Sequence, residues 1–282
     1  MSEKTAYVVN AFTANGEHGN PAGVVLDADQ LTSAQMLSVA QKVDLSETAF
    51  VTESDTADKR VRFFTTTNEV DLCGHATIAT WSLLKSLGRI SNGNYTQQTM
   101  AGDLAVSVQD DIVFMEQAPA IFGKTFPPVE VASLLGIEVG DLHSTLIPQM
   151  VSTGLKDLIV PVKDKQVLAR LQPQTDAIKN FSNKHDSYSL HVFALTEGDS
   201  VASARNFDPA HGIPEECATG TSNGGLLCYL RENGALLPRE MYRIEQGEAM
   251  GELSYIYGKF VGATVWIGGR ATVTENRNHI CK

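Results

Sequence analysis

The stretch Asp71–Leu84, DLCGHATIATWSLL, sets a polar cluster of Cys73, Gly74, His75 and Thr77 directly in front of an apolar helical run. The same design returns from Glu215 as EECATGTSNGGLLCYL, where Cys217 precedes a small-residue loop and a second apolar run from Leu226. The two cysteines lie 144 residues apart, close to half of the 282-residue chain. A thiol ahead of a helix N-terminus, once per half-chain, implies an internal duplication.

Working outward, the first quarter reads as short strands at Thr5–Phe12 and Gly23–Leu26. Asn20-Pro21 resists helix, because the residue before proline is pushed toward extended backbone. Asp29–Val43 has helical apolar spacing, with Thr32 or Ser33 as N-cap. Leu45–Val51 (LSETAFV) and Val61–Val70 read as strands, which would place Glu47 on a strand. The helix after Cys73 is apolar on nearly every side, so it should be a buried core helix ending at Gly88. Leu104–Val108 and Ile112–Met115 suggest a hairpin about Asp110-Asp111. Ala118–Pro128, with three prolines and a glycine, reads as a linker. Beyond it come helices at Val129–Leu135 and Lys165–Leu171 and strands at Met150–Ser152, Asp157–Val162 and Leu190–Leu195. The second Cys-led helix ends at Gly234, and strands at Leu253–Tyr257, Ala263–Trp266 and Ala271–Thr274 close the chain. The expected fold class is α/β (α+β), with two pseudo-equivalent domains across a cleft. Their expected limits are 1–117 plus 266–282 and 118–265.

The formal net charge of −11 argues against nucleic acid or an anionic membrane as partner, but not against a small anionic substrate. MSEKTAYVVNAF has no apolar h-region and no apolar run is long enough to span a bilayer, so neither signal peptide nor membrane segment is expected. Cys73, Cys217, Cys228 and Cys281 form no CxxC pair, which fits a reducing cytoplasm and no structural metal. No histidine pair shows ligand spacing.

Unpaired N–H groups and the macrodipole at a helix start favour a thiolate and make an anion site suited to a substrate carboxylate. On that ground Cys73 and Cys217 are acid/base candidates, although buried cysteines often only fill space, as expected of Cys228 and Cys281. His75 shares the polar cluster of Cys73. Glu47 lies among Leu45, Ala49 and Phe50, where desolvation would raise its pKa toward proton-shuttling use. Glu215 and Glu216 stand before the second helix, where capping alone would explain them.

NPAGVVL (20–26), LSETAFV (45–51), RFFTTTNEVDLCGHAT (62–77), STGLKDLIVPV (152–162), ARNFDP (204–209) and GIPEECATGTSNGGLLCYL (212–230) together resemble the PhzF-like phenazine biosynthesis family. EQG (245–247) and GGRATV (268–273) continue the match over almost the whole chain. The resemblance implies the diaminopimelate epimerase-like fold, each domain a curved sheet around a central helix. It also implies cofactor-free isomerase chemistry on a small carboxylate, and a homodimer. The family's proton-shuttling glutamate falls on Glu47, its positioning histidine on His75, its aspartate on Glu216 and its serine on Thr221. Substrate contacts are implied for Asn20, Gly74, His75, Ala76, Gly220 and Thr221. Two departures stand out. Glu216 replaces the usual aspartate, and Cys217 replaces a proline, at the place where the sequence suggests the second thiol of the related epimerases. Three readings follow: a Glu47 shuttle, a Cys73/Cys217 racemase or epimerase, and a non-catalytic small-molecule binding protein.

Overall fold

The computed structural model describes residues 4–277, so Cys281 lies outside the described residues. The chain runs β1 (Ala6–Ala11), β2 (Asn20–Val25), α1 (Ser33–Val43), β3 (Thr48–Thr52), β4 (Lys59–Phe64), β5 (Glu69–Val70) and α2 (Gly74–Ser86). It continues with β6 (Gly93–Thr99), β7 (Gly102–Gln109), β8 (Ile112–Glu116), β9 (Ile121–Thr125), α3 (Pro128–Leu135), β10 (Gln149–Ser152) and β11 (Lys156–Val162). Then come α4 (Lys165–Ala169), α5 (Thr175–His185), β12 (Leu190–Leu195), β13 (Ser200–Asp208), β14 (Ile213–Glu216) and α6 (Gly220–Glu232). The last elements are β15 (Tyr242–Gln246), β16 (Ser254–Val261), β17 (Thr264–Gly269) and β18 (Ala271–Arg277). One compact unit runs to Glu116 and resumes at Gly268; the other is Gln117–Ile267.

In the first unit the strands lie in the order β18-β1-β2-β3-β4-β6-β7-β8. Successive neighbours are antiparallel, antiparallel, parallel, antiparallel, parallel, antiparallel and antiparallel. In the second, β9-β10-β11-β12-β13-β15-β16 repeats that series of directions from its start. A short strand (β5 or β14) sits on the fifth strand of each order (β4 or β13) and leads into a 13-residue helix, α2 or α6. Each short strand is pinned by a guanidinium fork: Arg62 donates to both carboxylate oxygens of Glu69 (2.7 and 2.6 Å), and Arg205 to both of Glu215 (2.8 Å each). Both helices also end alike. Gly88 and Gly234 take positive φ, and Arg89 and Ala235 donate back to Leu84 and Leu230 at 2.9 and 2.8 Å, a six-residue C-terminal lock.

α2 is buried from His75 through Leu84 except at Ser82, as a helix apolar on nearly every side requires, although Leu87 beyond its end is exposed. It touches β1, β2, β3, β8 and β18, strands drawn from both ends of its sheet, so the sheet wraps it. α6 lies likewise against β10, β11, β12 and β16. The other face of the first sheet packs the Met36, Val39, Ala40 and Val43 side of α1; the second packs Val131, Leu135, Leu168, Ile178 and Phe181 from α3, α4 and α5.

Three expectations are corrected. The Pro-rich stretch Ala118–Pro128 is no plain linker: it carries β9, paired with β10 through Phe122–Val151 and Thr125–Gln149. Val61–Val70 is two strands, because Thr65–Asn68 closes a turn (Thr65 N–H to the Asn68 carbonyl, 2.9 Å) in which the threonine and asparagine side chains bond each other. Glu47 is not on a strand but immediately before β3.

Candidate active site

Glu47 is placed by parallel pairing. The Gly23 N–H donates to the Glu47 carbonyl at 3.0 Å, where β2 runs beside the start of β3. A Cβ on Gly23 would stand 2.6 Å from the Thr48 hydroxyl, so the glycine permits the approach. Across from it, Cys73 is the extended N-cap of α2 and His75 lies in its first turn. The His75 Nε2 is 3.3 Å from Glu47 Oε2 and 3.4 Å from Ser46 Oγ; the Cys73 Sγ is 3.4 Å from His75 Nδ1. The histidine and cysteine are each 8% exposed, whereas the Glu47 side chain is 23% exposed and is the member open to solvent.

Burial lowers the His75 pKa below its ordinary value, against the opposing pull of the Glu47 charge. The ring is therefore neutral at pH 7, with one donor and one acceptor nitrogen. A carboxylate only accepts, so Nε2 carries the hydrogen toward Glu47, and Nδ1 is left to accept from the Cys73 thiol. The cluster orients a carboxylate through a histidine held from behind by S–H. Below it, Thr77 donates to the Cys73 carbonyl at 2.8 Å, and buried Gln97 ties Thr77 (3.1 Å) to the Trp81 indole (2.7 Å).

The second unit builds the matching corner differently. The Leu158 N–H donates to the Ser189 carbonyl at 2.9 Å, just before β12, which is the contact Gly23 makes with Glu47. Ser189 thus occupies the position of Glu47. α6 begins at Gly220 as α2 begins at Gly74, and its N-cap is Thr219. The expected Cys-led second helix is therefore corrected: Cys217 lies two residues upstream of the cap, and Thr219 stands where Cys73 does. The glycine after the cap, not the cysteine, marks the register. Nor is Cys217 acidified. Burial and then the neighbouring Glu216 charge push its thiol up to about 11.

Glu216 accepts a 2.6 Å hydrogen bond from the Thr219 hydroxyl. Gln246, missed as a site residue although it sits in EQG, donates to the Glu216 carbonyl (2.8 Å) and Thr219 Oγ1 (3.1 Å) and accepts from Asn223 (2.7 Å). Gly247, at φ +84°, allows this, since a Cβ there would run into the carbonyls of Glu252 and Cys217. The chain of polar groups continues inward from Asn223 to His191 (3.2 Å), then Asn206 (3.1 Å), Ser189 (2.9 Å) and Asp157 (2.8 Å). Glu215 is held by Arg205 instead of capping α6.

Of the other expected residues, Asn20 is buried at the start of β2, Ala76 is buried in α2, and Gly74 and Gly220 open the two helices. Thr221 follows Gly220, and its carbonyl accepts from Thr153 Oγ1 at 3.1 Å. Neither Cys73 nor Thr219 caps its helix by a side-chain hydrogen bond, whereas Thr32 and Asp164 cap α1 and α4. A helix start without a side-chain cap can receive an anion. Ser46 is the residue of the first cluster that sequence reasoning passed over, though LSETAFV contains it. Only Glu47, Cys73 and His75 bring metal-ligating atoms together among the described residues, all within 4.8 Å. Among the described residues, no helix is long and apolar enough to cross a membrane.

The model of the family described as phenazine biosynthesis-like protein matches residues 9–277. An uncharacterised isomerase of Clostridium acetobutylicum is 36% identical over 264 residues, covering 89% of this chain and 87% of that protein. The trans-2,3-dihydro-3-hydroxyanthranilate isomerase of Pseudomonas fluorescens is 28% identical over 262 residues, covering 90% of each. The crystal structure of a PhzF-family phenazine biosynthesis protein from Bacillus anthracis superposes with a TM-score of 0.88 at 31% identity, covering 99% of each chain. The two wrapped-helix units are the epimerase-like fold that the motifs imply. The chain belongs to the PhzF-like phenazine biosynthesis family and is an isomerase of that family.

Proposed function

We propose that this isomerase moves a proton within a small, carboxylate-bearing, partly unsaturated ring through one carboxylate, that of Glu47. Glu47 takes a proton from one ring carbon as a base and returns it to another as an acid, while the electron pair shifts through the ring. His75 holds the carboxylate, with Ser46 beside its Nε2 and Cys73 behind its Nδ1. The first-turn N–H groups of α2 or α6 are suited to the substrate carboxylate. Glu216 and Thr221 are assigned to substrate orientation by the family resemblance.

The observation that carries this reading is the asymmetry of the duplication. The second unit has Ser189 where the first has Glu47, and Thr219 where the first has Cys73. A two-base racemase needs a second proton carrier, and the two matching positions are Ser189 and Thr219, neither a carboxylate nor a thiol; the neighbouring Glu216 carboxylate accepts from the Thr219 hydroxyl at 2.6 Å. The thiol nearest to this corner, Cys217, is raised to about 11, too weakly acidic to serve as a base at neutral pH.

The test is proton NMR in deuterium oxide with trans-2,3-dihydro-3-hydroxyanthranilate, other dihydroaromatic carboxylates, proline and 4-hydroxyproline. The expected result is double-bond migration in a dihydroaromatic compound, with deuterium entering at one ring carbon. Exchange at an amino acid α-carbon with inversion would instead support the two-thiol reading. Ligand-induced stabilisation without any conversion would support a binding protein.

A further inference from the structure

The first cluster joins three ligands of different chemistry: a carboxylate, an imidazole and a thiol. From His75 Nε2 to Glu47 Oε2 is 3.3 Å, and from His75 Nε2 to Cys73 Sγ is 3.9 Å. Tetrahedral zinc, with bonds of roughly 2.0–2.1 Å to nitrogen and oxygen and 2.3 Å to sulfur, sets ligand–ligand edges of about 3.3–3.6 Å. The imidazole–carboxylate edge already has that length, and the imidazole–thiol edge is a few tenths of an ångström long. The three atoms lie within 4.8 Å of one another, on a site whose backbone is fixed by α2 and by the Gly23–Glu47 pairing. Cys73 and His75 share one helix start, so small side-chain rotations close the imidazole–thiol edge, and the longer, more exposed Glu47 side chain follows to close the carboxylate–thiol edge. Ser46 Oγ stands 3.4 Å from the same imidazole nitrogen, where it can bond a metal-bound water.

We propose that Glu47, Cys73 and His75 form a reversible inhibitory site for a borderline-soft divalent cation of the zinc class. Binding exchanges the thiol proton, and the Nε2 proton of His75, for the metal. One of these two protons is taken up on Nδ1, so the imidazole binds as the neutral tautomer, the other passes to solvent, and no redox change is involved. The bound cation holds the Glu47 carboxylate as a ligand, so the proton shuttle is withdrawn while the metal stays. The inhibition rests on the proposed Glu47 mechanism; the binding does not.

Two measurements separate these. In the first, Co2+ is titrated into the thiol-reduced, metal-free protein and its absorption recorded, with no substrate present. The expected result is a sulfur-to-cobalt charge-transfer band with tetrahedral ligand-field bands in the wild type and in Cys217→Ser. The charge-transfer band should be lost in Cys73→Ser, and the ligand-field bands shifted in His75→Asn. Circular dichroism confirms that each variant is folded. No charge-transfer band in the wild type, or one that survives Cys73→Ser, overturns the site. In the second, Zn2+ is added during turnover. The expected loss is about 10²–10⁴-fold, that of withdrawing a general acid/base, and a chelator restores the rate. A cobalt site whose occupation by Zn2+ leaves turnover unchanged overturns the inhibition. A cobalt site on a protein that turns over no dihydroaromatic carboxylate upholds the site and counts against the Glu47 reading alone.

Discussion

Glu47→Gln loses turnover by about 10²–10⁴-fold while its affinity for substrate and its melting temperature stay close to wild type. The argument rests on where the side chain sits. Glutamine keeps the length and one carbonyl oxygen, so Nε2–H of His75 still finds an acceptor at the place where it now meets Oε2 at 3.3 Å. Because the Glu47 side chain is partly exposed and its backbone is fixed by the Gly23 N–H, the exchange leaves no orphaned buried charge. What it removes is the ability to accept and return a proton. Steady-state kinetics with a dihydroaromatic carboxylate, together with ligand-shifted melting, check this. Turnover within a few-fold of wild type would contradict it, and a variant that fails to bind would show that Glu47 orients substrate instead of moving its proton.

The second large effect concerns stability, in the buried chain of the second unit. Asp157 is fully buried, and burial raises its pKa from 3.8 to about 6 despite the hydrogen bond from Ser189. His191 is also fully buried, and burial lowers its pKa from 6.5 to about 4. The signs are opposite. The raised carboxyl pKa contributes stability present below its unfolded pKa and lost as pH rises through about 6. The lowered imidazole pKa contributes stability present above its unfolded pKa and lost as pH falls through about 4. Each is worth on the order of 3 kcal/mol across the window, so the two nearly cancel between about pH 4 and 6.5. In Asp157→Asn the histidine term stands alone, and acidification from pH 6.5 to 4 should cost on the order of 3 kcal/mol more than in wild type. In His191→Gln the carboxyl term stands alone and the difference reverses sign. Urea denaturation across that range measures both. Curves that stay parallel to wild type would show that neither group changes its proton affinity on folding.

How much of this was readable beforehand depends on which side chains face inward. The two buried helices, the hairpin after Leu104 and the His75 cluster follow from apolar periodicity and from small polar residues at helix starts, and the structure contains them. The family motifs run over almost the whole chain, and the family model matches residues 9–277. The sequence reading passed over β6, β13, β15 and α5, largely because polar residues sit inside and are satisfied there. GNYTQQT has no strand pattern to the eye, yet Gln97 is fully buried because the Trp81 indole and the Thr77 hydroxyl bond it. TDAIKNFSNKH buries only Ile178, Phe181 and Ser182. β9 is exposed along its whole length and owes its existence to pairing with β10, which no local signal encodes. Cys217 misled by residue type. A cysteine in each half suggested a pair, but helix register follows the Gly74 and Gly220 starts, and these align Cys73 with Thr219.

The claim that one carboxylate carries the proton is tested most directly by removing both thiols, in Cys73→Ser with Cys217→Ser. Serine at position 73 can still donate to His75 Nδ1, now 3.4 Å from the sulfur, so the support of Glu47 survives while any thiol base is gone. Deuterium wash-in by this double variant, followed by NMR beside Glu47→Gln, is the measurement to make. The account predicts exchange within about tenfold of wild type in the thiol-free protein, against a loss of about 10²–10⁴-fold in Glu47→Gln. Exchange abolished without the thiols and retained in Glu47→Gln would contradict it and assign the proton to sulfur.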